Sequence, residues 1–228
     1  MKTYHSIDHF FDTKTLLGCR IYAFKKYDGS NFRTEWNYKQ RNTVCKGFTK
    51  FGTKTQLIDE NNEQFGEAVK IFKDKYSEPL CESLANRSKR SEFNGIDKIT
   101  SYFEFFGEKS FAGFHYPDDP KDLVLLDVFL EKKGYLPPKY FMEIFSKQWY
   151  LRIAELIYEG NLNMEFANSI KDNDWNSPTA IYPSIKEGVV CKDISISKGQ
   201  KLLMSKIKTA WWINELKNKH PKNFNELL

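Results

Sequence analysis

Apolar and aromatic residues recur along this chain at two spacings. Runs at 20–24, 31–36, 43–49, 99–106, 123–129, 188–192 and 201–206 are short, rich in aromatic and β-branched side chains, and bounded by polar or glycine-containing stretches. Such runs predict strands. Three longer segments carry apolar residues three or four apart instead. Residues 67–76 place Ala68, Ile71, Phe72 and Tyr76 on one stripe, 138–158 open on Pro138, which suits a first helical turn, and 205–219 hold Trp211, Trp212 and Leu216. These predict helices that coat sheets. Strands outnumber helices and do not alternate with them regularly, so the expected class is α+β, with antiparallel sheets flanked by helices.

No period of 20–50 residues repeats and no low-complexity tract interrupts the pattern, which excludes solenoids and long disordered linkers. A chain of 228 residues, 40% hydrophobic and 16% aromatic, has enough apolar surface for a core of its own. The expected organisation is one domain over 1–228, with 209–228 a short helical extension. Charged residues make up 29% and the net charge is +5, which suits a polyanionic partner without requiring one. Cys19, Cys45, Cys81 and Cys191 lie too far apart for a structural zinc site, and read as reduced thiols. The first residues lack an apolar signal region and no stretch approaches the length of a membrane span, so a cytoplasmic protein with no membrane partner is expected.

Three short fragments carry the chemistry. Lys26-Tyr27-Asp28-Gly29-Ser30-Asn31 follows a predicted strand, and Asp-Gly after it builds a tight turn that presents Lys26 at a strand end. A lysine so placed becomes a nucleophile if its amine can lose a proton; alone, the fragment is equally a solvated hairpin turn. Glu187-Gly188-Val189-Val190-Cys191-Lys192 sets a carboxylate at the start of a strand, and strict alternation sends Glu187, Val189 and Cys191 to one face, Val190 and Lys192 to the other. Lys206-Ile207-Lys208 points two ammonium groups the same way, as a solvated face or as a phosphate clamp.

In this order, the fragments resemble motifs I (K-x-D-G-x-N/R), IV (E-G-x-V-x-K) and V (K-x-K) of the covalent nucleotidyltransferases, which comprise DNA ligases, RNA ligases and capping enzymes. Residues 101–107 resemble motif III, with Glu104 rather than Glu108 as its glutamate. Residues 123–128 resemble motif IIIa, with Leu126 where many relatives have an aromatic residue. The stretch from Lys54 to Gly66 resembles motif Ia, with lysine where relatives carry arginine, a place that Arg33 or Arg41 can fill instead. Residues 3–10 are similar to the start of phage-type RNA ligases of the type 2 family.

The resemblance implies an ATP-grasp-like nucleotidyltransferase fold and a ligase that works through lysyl-AMP; DNA ligases and capping enzymes add an OB-fold domain after motif V, and none is expected here because only residues 209–228 follow that motif. It implies Lys26 as the nucleophile and Asp28 as its positioner. Lys206 and Lys208 would hold the phosphates, and Glu187 would organise Mg²⁺. Lys25, Asn31, Lys54, Glu104, Leu126, Val190 and Lys192 would line the ATP site. The partner it implies is nucleic acid with 5′-phosphate and 3′-hydroxyl ends, whether RNA, DNA or hybrid, served by a monomer. RNA ligase is the favoured reading; a minimal phage or viral DNA ligase and an inactive nucleic-acid-binding module are the alternatives.

Four further features are open from sequence. Residues 87–90, a basic cluster that includes Lys89, and the series Lys46, Lys50 and Lys54 are candidate phosphate contacts or solvated loops. His115 is a candidate acid or base, or a satisfied loop histidine. Trp211 and Trp212 stack on a base or anchor the core.

Overall fold

A computed structural model describes residues 1–86, 91–196 and 201–228. The basic cluster at 87–90 lies outside the described residues. Among the described residues there are ten strands: β1 Arg20–Lys26, β2 Ser30–Asn37, β3 Phe48–Gly52, β4 Leu57–Ile58, β5 Lys98–Gly107, β6 Lys121–Leu130, β7 Gly134–Tyr135, β8 Leu156–Asn161, β9 Gly188–Asp193 and β10 Met204–Lys208. The helices are α1 Phe10–Thr13, α2 Gly66–Ile71, α3 Ser77–Ala85, α4 Pro138–Phe145, α5 Met164–Lys171, α6 Ala210–Lys219 and α7 Phe224–Leu227. The described chain forms two compact units. The fold is α+β, and every ladder between these strands is antiparallel. Among the described residues no helix is long and apolar enough to cross a membrane.

The first unit consists chiefly of Met1–His5 and Gly29–Ile153. Its six-stranded sheet runs β4-β3-β2-β5-β6-β7. Alternation sends Phe32, Phe103, Phe105, Leu123 and Leu125 to one face, where they bury against Phe72, Leu80 and Leu84 beside α2 and α3 and against Phe141 and Phe145 of α4.

Three predicted elements of this unit are corrected. The strand placed at 43–49 starts at Phe48, because Lys46 (φ 51°) and Gly47 (φ 89°) are left-handed and the Trp36 indole N–H donates to Lys46 O at 2.9 Å, fixing a turn. The helix placed at 67–76 continues to Ala85 through a wide turn over Phe72–Tyr76, in which Ser77 N–H donates to Phe72 O, five residues back. Pro79, which has no N–H, follows two residues later. The helix placed at 138–158 ends at Phe145; successive turns close from Gln148 N–H to Phe145 O and from Leu151 N–H to Gln148 O, and Leu151 buries in the core.

The second unit consists of Ser6–Asp28, Ala154–Ile196 and Leu202–Leu228, with sheet order β10-β9-β1-β8. The tail of the predicted 138–158 helix is here the strand β8, paired with β1 from Arg20↔Asn161 to Phe24↔Leu156. Ile21, Ala23, Val189, Cys191 and Ile207 point to one face and pack on Phe166, Ala167 and Ile170 of α5. Asn163 caps α5 by accepting from Phe166 N–H at 2.8 Å. The predicted strand 201–206 is shifted to Met204–Lys208, since its ladder with β9 opens at Met204↔Lys192. The predicted helix 205–219 starts only at Ala210, where Thr209 caps it.

Candidate active site

Three adjacent strands bring the sharpest sequence fragments together. Gly188 at the start of β9 pairs with Lys26 at the end of β1 and with Lys208 at the end of β10. Glycine is required there. Its φ of 151° suits no side chain, and a Cβ would lie 2.0 Å from Ile207 O. That backbone also overturns the strict alternation expected for Glu187. The carboxylate does not share the face of Val189 and Cys191; it meets the ammonium groups of Lys26 and Lys208 on the other face, because the turn at Gly188 precedes the pleat.

Lys26 Nζ lies 2.9 Å from each Glu187 oxygen, and Lys208 Nζ lies 3.3 Å from Oε1. Glu187 and Lys208 are almost fully enclosed, with side-chain exposures of 4% and 3%, whereas Lys26 retains 24%. The group is thus closed on one side and open at the lysine amine. Burial pushes Lys208 down to about 8; Glu187 opposes that shift, and the charges of Lys26 and Lys206 reinforce it. Trp212, 2% exposed, is the floor: its indole N–H donates to Asp28 Oδ2 at 2.6 Å and its ring lies 3.7 Å from Lys208 Nζ. Sequence reasoning set base stacking against core anchoring for Trp212 and missed its bond to Asp28. No local signal marked it, since the two residues lie 184 positions apart.

Other candidates of this unit fall around that centre. Val190 and Lys192 share the face of Lys26 and Lys208, with the buried Lys192 ammonium 4.8 Å from the centre of the Phe24 ring. Lys206 sends its ammonium to Leu228 O at 3.2 Å and is not drawn onto Glu187. Lys25 alternates to the opposite face of β1, where its partners are Glu155 at 3.9 Å and the Tyr27 ring at 5.1 Å, so the structure does not bring it to the group. Trp211 is half-buried, edge-to-face with Trp175.

The first unit holds a second set on the sheet face opposite its core. Asn31 of β2 stands directly across from Glu104 of β5, and both are half-buried. Asn31 Nδ2 donates to Phe103 O at 3.5 Å, while its buried Oδ1 has no partner among the described residues, an acceptor left open. Leu126 is the extra residue of a β-bulge, since Phe103 pairs with Leu125 and Tyr102 with Asp127. Bulges re-aim side chains in this way. Glu108 is exposed on the turn after β5, unlike Glu104. Lys54 is exposed on the bend after β3. Arg33 donates to Thr3 Oγ1 at 2.9 Å, and Arg41 covers the Tyr38 ring at 4.0 Å.

Lys46, Lys50 and Lys54, the candidate phosphate contacts, do not lie on one strand. Lys46 is in the turn and pairs with Glu78 at 3.0 Å, whereas Lys50 is on β3 and pairs with Glu35 at 2.9 Å. His115 accepts or donates between Ser110 Oγ at 3.1 Å and Ser30 Oγ at 3.0 Å, and burial, then Lys121, lower its pKa. It is a satisfied loop histidine.

No protein-family model and no curated protein sequence matches this chain. Solved structures do match. A variant of Naegleria gruberi RNA ligase with AMP and Mn superposes with a TM-score of 0.61 at 13% identity, covering 97% of this chain and 58% of that one. Another variant, with ATP and Mn, gives 0.59 at 14% identity, covering 97% and 59%. The same ligase with PPi gives 0.56 at 13% identity, covering 97% and 58%. This chain therefore spans under three fifths of the length of those ligase structures. The antiparallel sheets and flanking helices described above form a fold similar to that of an RNA ligase nucleotidyltransferase.

Proposed function

We propose that this chain is an ATP-dependent polynucleotide ligase that attaches AMP to Lys26 and passes it to a 5′-phosphate, with RNA as the favoured acceptor. The observation that carries the reading is the cluster in which Lys26 Nζ, partly exposed, lies 2.9 Å from a buried carboxylate shared with a second buried lysine. Neutral Lys26 attacks the α-phosphorus of ATP, a P–N bond forms, and the bond to pyrophosphate breaks. The P–N bond then breaks in favour of a 5′-phosphate oxygen, and a 3′-hydroxyl attacks that phosphate to release AMP. Lys208 offsets the charge that builds on the phosphate oxygens, and Asp28 orients the reacting groups. Lys206 and Lys192 add positive charge on the same face.

A divalent ion is compatible with these donors on limited terms. Among the described residues no group of three His, Cys, Asp or Glu side chains could hold one. Glu187 supplies one carboxylate, the usual protein share when nucleotide phosphates and water complete the shell of Mg²⁺. Bound there, the ion would shield phosphate charge. Asn31, Glu104 and Leu126 are the proposed nucleotide contacts of the first unit, with Lys54 a phosphate contact.

Similarity of residues 3–10 to phage-type RNA ligases, and the RNA ligase neighbours, favour RNA over DNA. The test supplies α-labelled ATP with Mg²⁺ or Mn²⁺: the chain becomes labelled and Lys26→Ala does not. Label that survives in Lys26→Ala sinks the mechanism. 5′-Phosphorylated nicked duplexes with DNA or RNA on each side of the break then rank the acceptors.

A further inference from the structure

We propose that Trp212 is a positioning residue of the adenylylation site, its indole holding the Asp28 carboxylate through N–H and the Lys208 ammonium through the ring face. This inference rests on the ligase reading of the same site.

Trp212 lies outside the apolar cluster packed against α5, although it is 2% exposed. Its contacts are of another kind: 2.6 Å from Nε1 to Asp28 Oδ2, and 3.7 Å from the ring centre to Lys208 Nζ. A buried indole N–H on a carboxylate is a charge-assisted bond, and an ammonium against a desolvated ring is a cation–π contact. A residue that only filled space would need neither. Because Lys208 contacts Glu187 and Glu187 contacts Lys26, the indole completes a continuous path from Asp28 to Lys26, two positions apart in the chain. The titratable groups that interact with Lys208 are Glu187, Lys26, Lys206 and His9.

The indole is itself held. Thr209, fully buried, donates through Oγ1 to Lys186 O at 2.6 Å and through its N–H to Glu187 O at 2.9 Å, and its Oγ1 accepts from Trp212 N–H at 3.1 Å. The first turn of α6 is thereby pinned to the residues that carry the carboxylate. The indole inherits that position.

The experiment compares wild type, Trp212→Phe and Trp212→Leu in single-turnover adenylylation at saturating ATP. Each rate is normalised to sites able to take label, and ATP half-saturation and thermal midpoint are measured alongside. Phe keeps a ring face for Lys208 and loses the donor to Asp28; Leu loses both. Per competent site, Trp212→Phe is expected to slow the chemical step about tenfold to a hundredfold, the equivalent of one hydrogen bond to a charged group, with ATP half-saturation little changed. Trp212→Leu is expected to be slower still, again with ATP half-saturation little changed. Wild-type rates per site in both variants, or a loss confined to ATP half-saturation, overturn the inference. If Phe prevents folding, benzothienylalanine at 212 keeps the shape and removes only the N–H; it must show the same slowing. A wild-type chain that never takes label overturns the ligase reading and this inference with it, a result distinct from a labelled wild type with equally fast variants.

Discussion

Replacing Glu187 with Gln tests the electrostatics of the site without reference to any substrate. Lys208 is 3% exposed and its pKa is lowered from 10.5 to about 8, so between those values the folded chain binds fewer protons than the unfolded one. Its contribution to stability therefore rises with pH across that window. Below it the full penalty is present, about 3 kcal/mol at pH 7. Removing Glu187 strips away the main group favouring the ammonium. The folded-state value then falls further, and the penalty at pH 7 is bounded by the cost of releasing the proton there, about 5 kcal/mol. The added cost through Lys208 is thus at most about 1–2 kcal/mol at pH 7. At pH 9 wild-type Lys208 is already largely neutral in the fold, and the same substitution adds almost nothing through it. Urea unfolding of wild type and Glu187→Gln at both pH values measures the difference, and repeating it in a Lys208→Met background isolates the lysine, since the extra loss at pH 7 should vanish there. A loss in Glu187→Gln that is equal at pH 7 and pH 9, or larger at pH 9, refutes the coupling.

Two further outcomes follow from the backbone around the site. Gly188→Ala should cost about 3 kcal/mol or more in unfolding free energy, because its φ of 151° strains any side chain and its Cβ would meet Ile207 O at 2.0 Å; a midpoint within one degree of wild type would contradict that geometry. Thr209→Ala removes an N-cap and a buried bond to Lys186 O, and should cost about 1–2 kcal/mol, read by thermal unfolding, whereas Thr209→Ser should restore most of the loss.

The parts legible in the sequence were those governed by local rules. Runs rich in aromatic and β-branched residues located β1, β5, β6 and β9, because such side chains suit the extended backbone, and period two placed Lys206 and Lys208 on one side of β10. Ordered motifs singled out Lys26, Glu187 and Lys208, which the sheet then assembles. What failed depended on partners distant in sequence. Residues 156–158 were read as the tail of the helix 138–158, yet β1 offers these residues a ladder, and tertiary pairing overrides the local preference. The face of Glu187 was misread because Gly188 takes a φ that breaks the alternation on which the reading relied. Lys25, which the resemblance assigned to the ATP site, points away from Lys26 because neighbours in a strand alternate. The Trp212–Asp28 bond spans 184 positions, beyond any local pattern.

The same charges that make the site costly in the free chain suit it to an anion. The Asp28 carboxylate is held by the Trp212 indole, while Lys26 and Lys208 share Glu187, and burial makes that concentration of positive charge beside one carboxylate unfavourable, as the lowered Lys208 value shows. The free chain relieves it by releasing the Lys208 proton, at pH values above about 8. A phosphate brought to the open side at Lys26 relieves it without that release, by supplying the missing negative charge where water is scarce and the interaction strong. Stabilisation withheld from the empty site thus becomes available when phosphate arrives. A site balanced in charge from the start, with a second carboxylate in place of the Trp212 ring beneath Lys208, would be more stable empty and would gain less from the nucleotide. An aromatic floor gives Lys208 a contact that leaves its full charge directed at the ligand, and the indole N–H secures Asp28 in the same side chain.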